Sequence, residues 1–241
     1  MCFSPDAQYL ITSAVDSIIR IWDIKTGVVK QGFKGQTGYI WSLSVSADGK
    51  YLASGSSTKL QLWDLKATDS TAREVDLPKI EKGLLEFSIL SFSPDSKLLA
   101  CTGHIGDIYL LDTETWRVVT KLETAVFGFS RRLRLKFSAS GCQLTLVTDF
   151  CVRQWNFQDP KESNDGSTAI VGWSAEPSSF QCDSQMIPGK GFGYDSNTNW
   201  TVLSNNHTVV LYDLREREPL FTLTNNNKPL GSLSLLIKTN A

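Results

Sequence analysis

Histidine, methionine and cysteine are scarce in this chain of 241 residues, which has two histidines, two methionines and five cysteines. His104 and His207 lie far apart, and no His, Cys or carboxylate cluster has metal-ligand spacing, so no metal or other cofactor is expected. Cys2, Cys101, Cys142, Cys151 and Cys182 are odd in number and share no C-x-x-C spacing, which reads as reduced, structural thiols. No apolar run reaches the roughly 18 residues of a membrane span, and no signal peptide is visible, so the expected setting is intracellular, nuclear or cytoplasmic, with no membrane partner. A net charge of −1 excludes a general polyanion binder, and no direct nucleic-acid contact is expected. No serine sits in a G-x-S-x-G frame. The one glycine-rich element, Gly189-Lys190-Gly191-Phe192-Gly193, lacks both the P-loop pattern and a following helix. Neither an enzymatic activity nor a small-molecule substrate is expected.

What the chain does contain is an internal repeat. Five short apolar runs end in an aromatic or leucine followed by an acid or amide: Trp22-Asp23, Trp63-Asp64, Leu111-Asp112, Trp155-Asn156 and Tyr212-Asp213. Successive pairs are 41, 48, 44 and 57 residues apart, around the period of about 40 to 45 expected of four-stranded propeller blades. Upstream of each pair, by 18 or 19 residues, stands a turn signal: Phe3-Ser4-Pro5-Asp6, Val45-Ser46-Ala47-Asp48-Gly49, Phe92-Ser93-Pro94-Asp95, Phe137-Ser138-Ala139-Ser140-Gly141 and Tyr194-Asp195-Ser196-Asn197. Pro presets its backbone angle, and Gly, Asn and Asp tolerate the left-handed region, so a hairpin is expected at the same place in every unit. Between turn and pair come two alternating runs, such as Tyr51–Ser56 and Leu60–Asp64. A further run follows the pair (28–33, 118–122, 220–223) and another precedes the turn (40–45, 88–92). Each unit therefore supplies four antiparallel strands, and the chain reads as all-β.

The residues Phe3-Ser4-Pro5-Asp6, Ile19-Arg20-Ile21-Trp22-Asp23, Ala47-Asp48-Gly49 through Ser56, and Leu62-Trp63-Asp64 resemble WD40 repeats. The resemblance implies a β-propeller forming a single domain over 1–241, with units at 1–34, 35–79, 80–124, 125–180 and 181–225 and a partial sixth at 226–241. Residues 158–191 fit the repeat poorly, and 161–167 read as a loop insertion in the fourth unit. Two endings are open: Leu230 to Ile237 closes a five-bladed ring on the first unit, or, the favoured reading, the chain is a fragment of a larger, seven-bladed propeller. The family also carries a hydrogen-bonded tetrad of a Gly-His pair, a Ser or Thr, a turn Asp and the Trp. Asp16 and Asp149 stand at the turn position, but Gly35 is followed by Gln36, and Ser57, Ile105 and Asn206 replace the Asp elsewhere. Blades held mostly by apolar packing and strand pairing, and individually looser, are the expectation.

The resemblance makes recognition of other proteins the expected function, a noncatalytic scaffold or adaptor. In such proteins the innermost-strand starts and loops of one face form the partner surface. The equivalent positions are Trp41, Ser88 and Leu133, then Tyr39, Glu86 and Arg131, with His104 and Asn205 beside the second turn. Tyr, Trp and Arg dominate interface energetics when exposed; for Trp41 the competing reading is a core aromatic, and Arg134 reads as a solvated basic rim. The first quarter of the chain, including Tyr39-Ile40-Trp41-Ser42-Leu43, is similar to Groucho and Tup-type transcriptional corepressors, which implies short repressor motifs as partners. Tyr212-Asp213-Leu214-Arg215 resembles the box by which WD-repeat receptors join cullin–RING ubiquitin ligases. A third reading makes these repeats the sensor region of a multidomain signalling NTPase.

Overall fold

In a computed structural model of the chain, the described residues are 1–34, 38–56, 59–67, 72–75, 87–103, 107–124, 133–147, 151–158, 172–173, 178–181, 191–195, 200–204, 208–213 and 218–224. All of their regular structure is β. The first sheet runs β1 (Cys2–Phe3), β2 (Tyr9–Ser13), β3 (Ile19–Asp23), β4 (Val29–Phe33). The second runs β5 (Ile40–Val45), β6 (Tyr51–Ser56), β7 (Leu60–Asp64), β8 (Ala72–Glu74), and the third β9 (Phe87–Phe92), β10 (Leu98–Gly103), β11 (Ile108–Asp112), β12 (Val118–Leu122). The fourth holds β13 (Arg134–Phe137), β14 (Gln143–Val147), β15 (Cys151–Gln158), β16 (Gly172–Trp173) and β17 (Ser178–Gln181). The fifth is β18 (Gly191–Asp195), β19 (Trp200–Ser204), β20 (Thr208–Asp213), β21 (Glu218–Thr224). Each is an antiparallel meander. The region that fits the repeat poorly departs in one defined way: β15 is long, its start pairs β17 in the fourth-strand place, and its end pairs the short β16. The insertion at 161–167, the partial sixth unit and both readings of ring closure lie outside the described residues.

The recurring first turn has one hydrogen-bond plan. Ser4, Ser46, Ser93 and Ser138 each accept a hydrogen bond on Oγ from the amide five residues on (2.9–3.1 Å). The first three also donate to the carboxylate two residues on at 2.5–2.6 Å. The next residue takes a positive φ: Ala7, Gly49, Ser96 and Gly141 at 55°, 66°, 62° and 76°. Glycine relieves that conformation in two units, and the other two carry Ala and Ser in the left-handed region.

First strands of successive sheets are neighbours: β1 lies against β5, β5 against β9, and β9 against β13. Sheets meet face to face through apolar side chains. Between the first and second sheets, Ile11, Ile19, Ile21 and Phe33 meet Leu52 and Trp63, with the Phe33 and Trp63 ring centroids 5.1 Å apart. Ala53, Leu60, Leu62 and Val75 meet Leu90, Phe92, Leu99 and Leu111 in the next groove, and Ala100, Ile108, Leu110 and Leu122 meet Leu135, Phe137, Leu144 and Trp155 in the third. Serines add directed ties, because Ser42 and Ser44 on β5 accept from the Leu90 and Phe92 amides of β9 (3.0 and 3.3 Å).

Two units add a directed side-chain bond to the apolar packing and strand pairing expected to hold the blades. The Trp22 indole N–H donates to Thr12 and that of Trp63 to Ser54, both at 2.8 Å. In each case the hydroxyl lies two residues beyond the strand partner of the Trp. Cys101 and Leu146 occupy that register place opposite Leu111 and Trp155. Trp155 Nε1 is buried and has no hydrogen-bond partner among the described residues. Asp16, at the tetrad's turn position, instead receives both guanidinium nitrogens of Arg20, at 3.2 and 2.6 Å. That guanidinium, with the Ile18 amide, holds the Asp16 carboxyl below its usual range.

Candidate functional site

The exposed aromatics cluster where β5 begins. Tyr39 and Trp41 keep 56% and 54% of their surface in solvent, although Trp41 lies within a strand. A bulge causes this: Ile40 pairs Ser56 and Ser42 pairs Gly55, so Trp41 is the extra residue. Bulges interrupt strand alternation and re-aim a side chain, and here the ring turns out of the core. The Tyr39 and Trp41 centroids are 6.0 Å apart at 58°, the tilted geometry that aromatic pairs favour.

The third sheet repeats the device. Gly103 pairs Phe87 and Thr102 pairs Ile89, which leaves Ser88 as the extra residue. In the fourth sheet pairing runs unbroken from Arg134 opposite Val147 to Phe137 opposite Leu144. Leu133, expected on the partner surface, is 7% exposed and packs with Leu135, Phe137 and Leu146; with no bulge to turn it outward, it belongs to the core. Arg134 is exposed and donates to the Leu133 carbonyl (3.1 Å). Glu86, His104, Arg131, Asn205 and Asp149 lie outside the described residues, as do Leu214 and Arg215 of the ligase-type box, whose Tyr212 and Asp213 are buried.

Trp41 also forms part of the wall of a cavity of about 650 Å³ between the first strands of the first four sheets, reached by Cys2, Ser42, Leu90, Arg134 and Phe137. Trp41, with Tyr39 against it, thus marks the mouth of this cavity. One feature of this mouth escaped sequence reasoning: Val15, 78% exposed in the turn between β2 and β3. Ser17 of the same turn donates to the Gly38 carbonyl (2.8 Å), tying Val15's turn to Tyr39's segment. Its signal was a large apolar residue beside Asp16-Ser17 in the turn.

The structural residues of the repeat have definite tasks. Asp23 and Asp112 cap the turn after the third strand, each accepting from the backbone amide and hydroxyl of the Thr three residues on, at 2.7–3.0 Å. Asp64 accepts from the Lys66 amide (2.9 Å), and Asp213 from the Trp200 indole (3.3 Å). Burial pushes the Cys2 and Cys101 thiols up to about 11 and 12, so both are protonated at neutral pH. Among the described residues no three His, Cys, Asp or Glu side chains group as metal ligands.

The family profile described as "WD domain, G-beta repeat" matches residues 1–23 and 27–64. Those two segments, in the first and second sheets, match WD40 repeats. The chain is similar to Pre-mRNA-processing factor 19 homolog 2 of Arabidopsis thaliana, with 36% identity over 27% of this chain and 12% of that protein. To the small ribosomal subunit protein RACK1 of Neurospora crassa it is 32% identical over 64% of this chain and 49% of the relative. The chain thus spans at most about half the length of these curated relatives. Among solved structures, the β-propeller domain of Myceliophteria thermophila Cps50 (Swd1) superposes with a TM-score of 0.56 at 18% identity, covering 96% of this chain and 87% of that one. At that identity the likeness is one of fold, and the fold is a β-propeller whose first two sheets match WD40 repeats. Propellers of this kind are generally noncatalytic, and typically serve as scaffolds that bind other proteins.

Proposed function

We propose that this propeller is a noncatalytic adaptor that docks a partner protein segment at the cavity mouth marked by Tyr39 and Trp41. The observation that carries the reading is the bulge at Trp41, which holds an indole half in water where strand alternation alone would not. An exposed aromatic pair beside an apolar neighbour supplies large, rigid contact area at low entropic cost, the chemistry of an interface anchor. RACK1-type and Prp19-type relatives support recognition of proteins as the class of function, while the partner's identity rests on experiment. A corepressor-like module is the finer reading that the sequence resemblance favours, with repressor peptides as ligands.

The test is affinity purification with mass spectrometry from native lysate, comparing the wild-type chain with the Tyr39→Ala, Trp41→Ala variant at matched folding. Selective loss of partners from the variant supports the mouth as the docking site. Full retention removes it.

A further inference from the structure

Comparing grooves between successive sheets exposes a second site, at the opposite end of β5 from Tyr39 and Trp41. The groove between the second and third sheets carries its own aromatic plug. Trp116, four residues after Asp112, takes a φ of 57° and donates its amide to the Asp112 carbonyl (2.8 Å). This places its ring edge-on against Tyr51, centroids 5.1 Å apart at 89°, with 8% of the residue exposed. At the turn end of that groove, Ser96 Oγ accepts from the Asp48 amide (3.0 Å) and ties the two sheets.

Among the described residues, neither device recurs in the groove between the first and second sheets. Tyr9 stands in the register place of Tyr51, each opposite the aspartate that ends the third strand. The residue four after Asp64 is Thr68, which has no ring and lies outside the described residues. Gly49 stands where the next unit has Ser96, and a Cβ there would meet nothing within 4 Å. What remains is a cavity of about 420 Å³ with Tyr9, Ile11, Ile21 and Leu65 among its apolar lining. For scale, a dry cavity of about 150 Å³ accepts benzene.

Its charged lining is two carboxylates, Asp6 and Asp48, and one amine, Lys30. Ser4 and Ser46 hydroxyls hold those carboxyls below their usual range, so both are ionised at neutral pH. Lys30 is already engaged: its ammonium donates to the Tyr9 hydroxyl (2.6 Å) and lies 4.2 Å from the ring centroid. Lys50 and Lys66 also stabilise the Asp48 carboxylate, so the charges around the groove offset one another and its apolar lining decides what enters.

We infer that this groove is a docking site for an indole presented by a partner peptide, the ring entering the groove as Trp116 enters the next one. The molecule's own neighbouring groove supplies the template.

The probe is the peptide acetyl-Lys-(5-fluorotryptophan)-Lys-amide, titrated with the intact chain and read by fluorine NMR. A saturable shift is expected, displaced by Lys-Trp-Lys and by Glu-Trp-Glu, and at least tenfold less well by Lys-Ala-Lys. Gln31→Trp, which places a ring into the cavity from β4, should abolish the shift, and Tyr39→Ala, Trp41→Ala should leave it unchanged. Absence of binding to the wild-type chain, equal competition by Lys-Ala-Lys, or loss in the Tyr39, Trp41 variant overturns the inference. Should Gln31→Trp fail to fold, the competitor series decides alone. The outcome is independent of docking at the mouth marked by Tyr39 and Trp41.

Discussion

Trp63 and Trp155 occupy the same place in two repeats, both at most 1% exposed, yet shortening each to phenylalanine should cost very different amounts. Trp63→Phe shrinks a ring packed 5.1 Å from Phe33 and removes the 2.8 Å bond to Ser54, whose hydroxyl is itself buried. Loss of packing contributes about 1–2 kcal/mol, and the broken buried hydrogen bond about 1 kcal/mol more. Trp155→Phe loses similar ring volume but deletes an indole N–H that has no partner, and removing an unsatisfied buried donor returns about 1–3 kcal/mol. Urea denaturation with a common slope should therefore place Trp63→Phe about 2 kcal/mol or more below Trp155→Phe. A converse substitution, Leu146→Thr, sets a hydroxyl at the place of Thr12 and Ser54. In that background Trp155→Phe should become more costly. Equal midpoint shifts for the two Trp→Phe variants, with unchanged slopes, would refute the pairing argument.

Trp63→Ala should cost about 3–5 kcal/mol by cavity formation, and Trp22→Ala less, since Trp22 is only partly buried; thermal melts rank them. Gly49→Ala meets no steric obstacle but must hold a φ of 66°, so a loss of about 1 kcal/mol is expected in denaturant titration. Tyr39→Ala and Trp41→Ala should leave the melting temperature within error, and a large drop in either would show that the exposed pair is structural. Of Cys2, Cys101 and Cys142, iodoacetamide should modify the exposed Cys142 first and Cys101 only on unfolding, as mass spectrometry of digests would show. Because burial raises the Cys101 thiol from 9.0 to about 12, the unfolded chain alone releases that proton across this window. Stability should thus be full below pH 9 and decline by up to about 1.4 kcal/mol per unit as pH rises toward 12, a trend that Cys101→Ala should flatten.

The repeat was legible before any coordinates because its signals are local. Ser-Pro-Asp and Ala-Asp-Gly specify a hairpin through their own backbone preferences, and period-two alternation specifies which strand faces are buried. Strands at Tyr51–Ser56, Leu60–Asp64 and Ile40–Val45 accordingly fall where the pattern puts them. Site residues were legible only as positions. Trp41 and Leu133 hold the same place in the motif, yet one indole stands in water and the leucine is buried, because a bulge in the second sheet re-aims the former and unbroken register in the fourth leaves the latter inside. The unpartnered Trp155 indole and the plugging of one groove by Trp116 depend likewise on side chains from different strands or sheets meeting across space. Period and turn chemistry belong to the sequence by itself; which of two equivalent residues faces a partner, and which groove is left to be filled, is decided by pairing register and inter-sheet packing, whose contacts are long range and leave no local pattern.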